Sequence, residues 1–334
     1  MPGFTHIVPV SVPPAPENIY VRTLLPTGHG YPVYFPTSNV SLPAEYVSQG
    51  ARIGDVGRLT HNGFFSFYFN IFLPANHPFH VQGTPRNFRP LEYDESEISR
   101  LPNYFQPGTT IRSNGIRLTR TSSSPLWVCS SGSIDIIHSF LPRKLAIEST
   151  ESEGAILVLP DGASREDLVS SSRLDVFLQE HYLDWYQYFS HYTHASPPNG
   201  SVYIVTGVDK ARSWSIATFS LSTQDYKMMG DYTDGTWFGT NIIPNDSEGG
   251  SSENENPNQC VFLRGTRISL GKFAWFENFD DPPDDEARYM VILHRPLPLL
   301  QRWFYKTNEA LPESQYLSVS PSCMSLAESR VLNS

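Results

Sequence analysis

The segment at 201–220, SVYIVTGVDKARSWSIATFS, constrains the fold more than any other part of the chain. Two runs rich in β-branched and aromatic residues flank a polar centre carrying Asp209, Lys210 and Arg212, with Trp214 opening the second run. Such runs, bounded by turn residues, read as β-strands. The segment is therefore expected to form a hairpin whose turn displays the three charges. The same texture extends through the chain, whose 28 prolines and 22 glycines punctuate short strands and turns and leave little room for long helices.

Further strand signals follow. Residues 58–73 read as two strands joined at Asn62 and Gly63, the dipeptide that most strongly marks a hairpin between apolar runs. A strand pair is expected around Asn114 and Gly115, and another from 126–129 with 133–138. The unbroken apolar run at 155–160 predicts a strand buried on both faces. One helix is expected over about 165–192, capped by Ser164, with Glu166 and Asp167 in its first turn where the dipole favours negative charge. Leu174, Phe177, Leu178, Tyr182, Trp185, Phe189 and Tyr192 recur at helical spacing, and Pro197 and Pro198 end the pattern. The fold class is thus α+β, mainly β, with antiparallel or mixed sheets and one principal amphipathic helix covering a sheet that includes 156–159, 202–206 and 261–263. A Pro-rich extended arm (1–22), a β-rich core domain (23–267) and a C-terminal segment of uncertain structure (268–334) complete the expected organisation.

Composition narrows the classes of function. A net charge of −10 with no run of Lys and Arg argues against nucleic acid as a partner, because phosphate binding needs clustered cations. No segment reaches the roughly 18 apolar residues of a membrane span, so no stable span is expected. The three cysteines, Cys129, Cys260 and Cys323, lie far apart, which suggests neither a disulfide framework nor a zinc site and favours a reducing compartment. The first twenty residues lack a secretory pattern. A cytoplasmic location is the expectation, and the sequons at Asn39, Asn199 and Asn245 read as chance.

Several motifs occur in one order: GDVG at 54–57 with FNI at 69–71, LPDGA at 159–163, VTGVDKARSW at 205–214 and QCVFLRG at 259–265. Together they resemble a group of uncharacterised proteins from mushroom-forming (basidiomycete) fungi, over about 28–265. The group has no assigned activity, so the resemblance implies a fungal source and no catalytic residues.

Candidate sites come from local chemistry. Asp55 sits between two glycines, which let a backbone approach a bound group closely, although the same pattern is an ordinary Asp turn. His61 is the imidazole nearest to it in sequence. Cys260 would serve as a nucleophile if a base such as His138 or His181 reached it, and otherwise packs as a small apolar group. His191 and His194, with His181, lack the Glu of a zinc-binding helix motif, and the acids at 280, 281, 284, 285 and 286 lack the spacing of a calcium loop. No metal and no cofactor are expected. Asp209, Lys210, Arg212 and Trp214 would together make a recognition surface, since Arg and Trp are enriched in binding hot spots; paired surface charges are the plainer alternative.

The expected function is a non-catalytic intracellular binding protein whose partner is a protein or a small molecule, with Asp55, His61, Asp209, Lys210, Arg212 and Trp214 as candidate contacts. The alternative is a hydrolase or transferase centred on Cys260 or on Asp55 with His61. A third reading, a pore-forming protein, needs strands of strict alternation, and the alternation breaks at Ala217 and Thr218.

Overall fold

The structure is a computed structural model. It describes residues 14–60, 63–120, 144–169, 172–193, 199–221, 227–233, 235–239, 241–246, 257–268, 290–291 and 304–305. The chain opens with helix α1 (Pro16–Leu24), then strand β1 (Tyr31–Pro32), helix α2 (Ala44–Gln49), β2 (Asp55–Leu59) and β3 (Phe65–Asn70). It continues through β4 (Ile98–Phe105), β5 (Thr109–Arg112), β6 (Ile116–Arg120), β7 (Lys144–Ser149), β8 (Glu153–Leu159) and β9 (Ala163–Leu168) to helix α3 (Ser172–Thr193). The second half holds β10 (Val202–Ala211), β11 (Ser215–Ser220), β12 (Met228–Thr233), β13 (Thr236–Gly239), β14 (Ile242–Asp246) and β15 (Gln259–Ile268), with a two-residue pair, β16 (Met290–Val291) and β17 (Phe304–Tyr305). Strand outweighs helix and the sheet pairings are antiparallel, so the chain is α+β and mainly β.

A seven-stranded sheet runs β1-β15-β10-β2-β3, with β9 joining β10 and β4 joining β9. Strand β10 is long enough to serve two neighbours on one edge: residues 202–204 pair with β2, and residues 207–211 pair with β9. A bulge lies between Val205 and Gly207. A side chain at Gly207 would meet Arg264 Nε at 2.8 Å, so glycine leaves space there for an ion pair.

The other strands form two four-stranded sheets of the same strand order, β14-β11-β8-β5 and β13-β12-β7-β6. Consecutive strands supply corresponding places in each, so the two sheets are halves of one four-stranded ribbon folded along a crease. The crease passes through Gly115 at φ +76°, residues 150–152 and Asn241 at φ +66°. Left-handed backbone suits glycine and asparagine, which explains these residues at the fold.

Three apolar layers result. Leu174, Phe177, Trp185 and Phe189 of α3 pack on Val56, Phe69, Val202 and Ile204. The opposite face of that sheet, with Tyr203, Val205 and Leu263, meets Leu157, Leu159 and Ile216, and Tyr20 and Leu24 of α1 belong to the same cluster. Between the halves of the ribbon lie Ile147, Ile156, Val158, Phe219 and Trp237. Strand β8 therefore sends alternate residues into two interiors, which accounts for its unbroken apolar run. Burying each such side chain contributes about 1.5–3 kcal/mol.

Five expectations need correction. Residues 201–220 are two strands but no hairpin, because β10 and β11 belong to different sheets. Residues 163–168 are a strand, and the amphipathic helix begins at Ser172; Arg165 stands directly opposite Asp209 in register, and that buried pairing prevails over the capping signal at Ser164. The segment around Asn114 and Gly115 contributes strands to both halves of the ribbon rather than a hairpin, and β8 does not share a sheet with β10 and β15. Where prolines suggested an extended arm, Pro16–Leu24 is a helix, with Pro16 in its first turn where no amide donor is needed. Arg22 ties it to Glu153 at 2.5 Å. The hairpin across Gly63 is present as β2 and β3, and the strand at 155–159 is present within β8.

Candidate functional site

Two buried polar clusters lie where β2 and β9 meet on the edge of β10. The first surrounds Asp55. Gly54, at φ +87°, turns the chain so that its N–H donates to Val205 O at 2.8 Å and its carbonyl accepts from Ile71 N–H at 2.9 Å. That turn carries the Asp55 side chain wholly inside. Its Oδ2 accepts from the Tyr46 hydroxyl and the Arg52 N–H, both at 2.7 Å, and its Oδ1 accepts from Asn70 Nδ2 at 2.8 Å. All three donors are neutral. Burial pushes the Asp55 carboxyl up to about 6, against the opposing pull of those donors. Asn70 extends the cluster, since its amide N–H donates to His80 Nε2 at 3.1 Å.

The second cluster surrounds Asp209. Arg165 donates to it through Nε at 2.8 Å and Nη2 at 2.7 Å, a two-pronged pairing, and Arg264 Nη1 donates to Oδ1 at 2.8 Å. Arg264 also pairs with Asp167 at 2.5 Å and donates to the carbonyls of His29 and Glu166, both at 3.1 Å. The Tyr104 ring covers Arg165, with the guanidinium carbon 3.6 Å from its centroid. Two guanidinium groups thus meet two carboxylates inside the sheet.

These positions revise the sequence reading. Asp209 and Lys210 lie in β10 rather than in a turn and are 0% and 7% exposed; Trp214 is also buried, at 4%. Of the four residues expected to form one exposed recognition surface, Arg212 alone is exposed. Lys210 Nζ donates to Gln49 O at 2.8 Å, and burial lowers its pKa. Asp55 is wholly buried, with both of its oxygens hydrogen-bonded. His61, His138, His194, Cys129, Cys323 and the acids at 280–286 lie outside the described residues, as do the strands expected at 126–129 and 133–138.

Cys260 is buried opposite Lys210 in the β10–β15 register, and its thiol donates to Phe262 O at 3.4 Å. Burial pushes that thiol up to about 12, despite the neighbouring lysine. It belongs to the interior between the first sheet and the ribbon, whereas His181 packs on Phe177 in the layer under α3. The sheet separates the two.

Beside the Asp55 cluster a shallow open notch lies between the segment that follows β1, helix α2 and strands β3 and β15. Its walls include Val33, Leu42, Tyr46, Phe65, Phe67, Cys260 and Leu263, and Thr37, Ser38 and Asn39 add polar groups. Phe35 also lines it, 42% exposed, and Val40, next to Asn39, is 85% exposed. Sequence reasoning passed over this region because its residues come from four separate segments. The Arg264 network did leave a trace: an arginine and an aspartate inside apolar strand runs require buried partners.

The chain matches no protein-family model, no curated protein and no solved structure.

Proposed function

We propose that this chain is a non-catalytic binding protein that seats an apolar side chain of a protein partner in the notch beside α2. The carrying observation is the exposed pair Phe35 and Val40 beside a concave wall of Tyr46, Phe65, Phe67 and Leu263. Anchors of binding energy are aromatic and apolar groups that fill such pockets and lose their water on contact. Thr37, Ser38 and Asn39 supply the polar groups that a partner's backbone needs there. A cytoplasmic setting and kinship with the basidiomycete group belong to the same proposal.

The hydrolase or transferase reading draws less support. It relies on Cys260, whose thiol is held protonated by burial and bonded to a backbone carbonyl, or on Asp55 with His61, where the two Asp55 oxygens already accept three hydrogen bonds.

The test is comparative affinity capture from a cell extract, with proteins identified by mass spectrometry. Phe35→Asp is expected to reduce recovery of the specific partner by about 30-fold, the scale of a hot-spot residue. Met229→Asp and Phe238→Asp alter exposed apolar residues on β12 and β13, away from the notch, and should leave recovery intact. Equal recovery by Phe35→Asp and the unaltered chain would refute the assignment.

A further inference from the structure

In the loop that follows β3, two imidazoles accept hydrogen bonds from backbone amides. His80 Nε2 accepts from Asn70 N–H at 3.1 Å, which leaves its Nδ1 facing Ala75 O at 3.3 Å. His77 Nδ1 accepts from Phe79 N–H at 3.2 Å. A doubly protonated imidazole has two N–H donors and no acceptor. Each of these bonds therefore exists only while its ring is neutral.

Between the two histidines sits Phe79, which is wholly buried. Its ring packs edge-on against Tyr46 at 5.4 Å and beside His77 at 4.5 Å. Phe79, Tyr46 and Phe67 form one apolar cluster, and Tyr46 and Phe67 are walls of the notch. The imidazoles lie 6.0 Å apart, and Arg52 stands 5.5 Å from the Phe79 ring. Asp55 lies beyond Asn70, whose side chain donates to it. From α3 the Tyr188 hydroxyl donates to the carbonyls of Gln82 and Gly83 at 3.2 Å, and Phe88 lies 6.0 Å from the His80 ring. No carboxylate accepts a hydrogen bond from either ring among the described residues, and although the backbone around Ala75 and Pro74 favours a protonated His80, burial outweighs it.

We infer that His77 and His80 make this loop an acid-released latch, which holds Phe79 against the wall of the notch at neutral pH and lets it go when the rings are protonated. Burial also lowers the His80 pKa, and the neighbouring His77 acts in the same direction. The sign follows from linkage: the closed state takes neutral rings and the open state takes protonated ones. For His80, closure is fully favoured above the ordinary histidine value of 6.5 and weakens as the pH falls below it, by up to about tenfold per pH unit. The inference rests on the partner-binding reading only for its consequence, which is that acid loosens the wall on which the partner sits.

The experiment reads the latch itself, so its failure and the failure of the partner assignment remain distinct. Hydrogen exchange at the Asn70 and Phe79 amides, corrected for intrinsic rates, is followed between pH 8 and pH 5 on the full chain. Protection is expected to hold above pH 7 and to fall about tenfold or more across the next two units. His80→Gln should remove the dependence at Asn70 and His77→Gln that at Phe79, since a glutamine carbonyl accepts a hydrogen bond without titrating. Constant protection in the unaltered chain would overturn the inference. So would a dependence that survives both substitutions, or one removed by Asp55→Asn instead. If a glutamine variant does not fold, an NMR titration of the two imidazoles in the unaltered chain decides the matter: rings that protonate while the Asn70 and Phe79 amide signals stay in place would also overturn it.

Discussion

Asp209 and Asp55 are both wholly buried carboxylates a short distance apart in one sheet. Their surroundings differ in one respect. Asp209 receives donors from two guanidinium groups, whereas Asp55 receives only a phenol, a side-chain amide and a backbone amide. The phenol, amide and N–H satisfy lone pairs without supplying a counter-charge, so burial still pushes Asp55 up to about 6. Hydrogen bonding and charge compensation are thus separate requirements, and this sheet meets both at one carboxylate and only the first at the other.

The largest test of that contrast is Asp209→Ala. It strips a counter-charge from Arg264, which is 1% exposed, and from Arg165. Removing one partner of a buried pair costs about 3–5 kcal/mol. Urea denaturation should show a loss of that size, and a loss below about 1 kcal/mol would mean that Asp167 alone suffices.

A smaller effect, with a pH signature, belongs to Asp55. Its ordinary value is 3.8 and its folded value about 6. Below 3.8 the carboxyl is protonated whether the chain is folded or not. Between the two values the unfolded chain has released the proton while the folded chain keeps it, so the group's contribution to stability declines as pH rises and is level above about 6. The whole excursion is roughly 3 kcal/mol at about 1.4 kcal/mol per unit. Asp55→Asn has no such titration. The stability of the unaltered chain relative to this variant should therefore drop between pH 4 and pH 7, and parallel denaturation curves at the two pH values would contradict it.

The smallest effect concerns a polar atom with neither kind of compensation. The Tyr203 hydroxyl is buried with no hydrogen-bond partner among the described residues. Tyr203→Phe removes the unsatisfied oxygen and leaves the packing, so stability should hold or rise by up to about 1 kcal/mol. A clear loss in thermal denaturation would reveal a bond that the hydroxyl makes.

Much of the strand content was readable from the chain because the strands obey simple local rules. The Gly63 turn and the apolar run of β8 are short-range signals, and both elements stand where those signals put them. Pairing was a different matter. The 201–220 segment and the one around Gly115 look like hairpins locally, yet each sends its two strands to separate sheets. Long-range choices of that kind depend on which surfaces the rest of the chain offers. The helix start was misplaced because Ser164, Glu166 and Asp167 fit a cap, while the partner that draws Arg165 into a strand lies 44 residues away. The buried clusters were half visible: Asp55, Asp209 and Lys210 stood out as charges, but their partners Asn70, Arg264 and Gln49 come from other segments.

One property of β8 reaches beyond packing. In most strands a slip of one residue exposes the apolar face to water, and that penalty fixes the alignment. Here both faces are dry, so a slipped strand would trade one set of aliphatic groups for another and lose little by transfer. Alignment has to be keyed by shape instead. Gly154 sits beneath the Phe219 ring, where a methyl group would come within 2.6 Å of Cζ, and the Ser113 hydroxyl accepts from Ala155 N–H at 3.1 Å. A glycine and a serine beside the crease thus act as the key that seats this central strand.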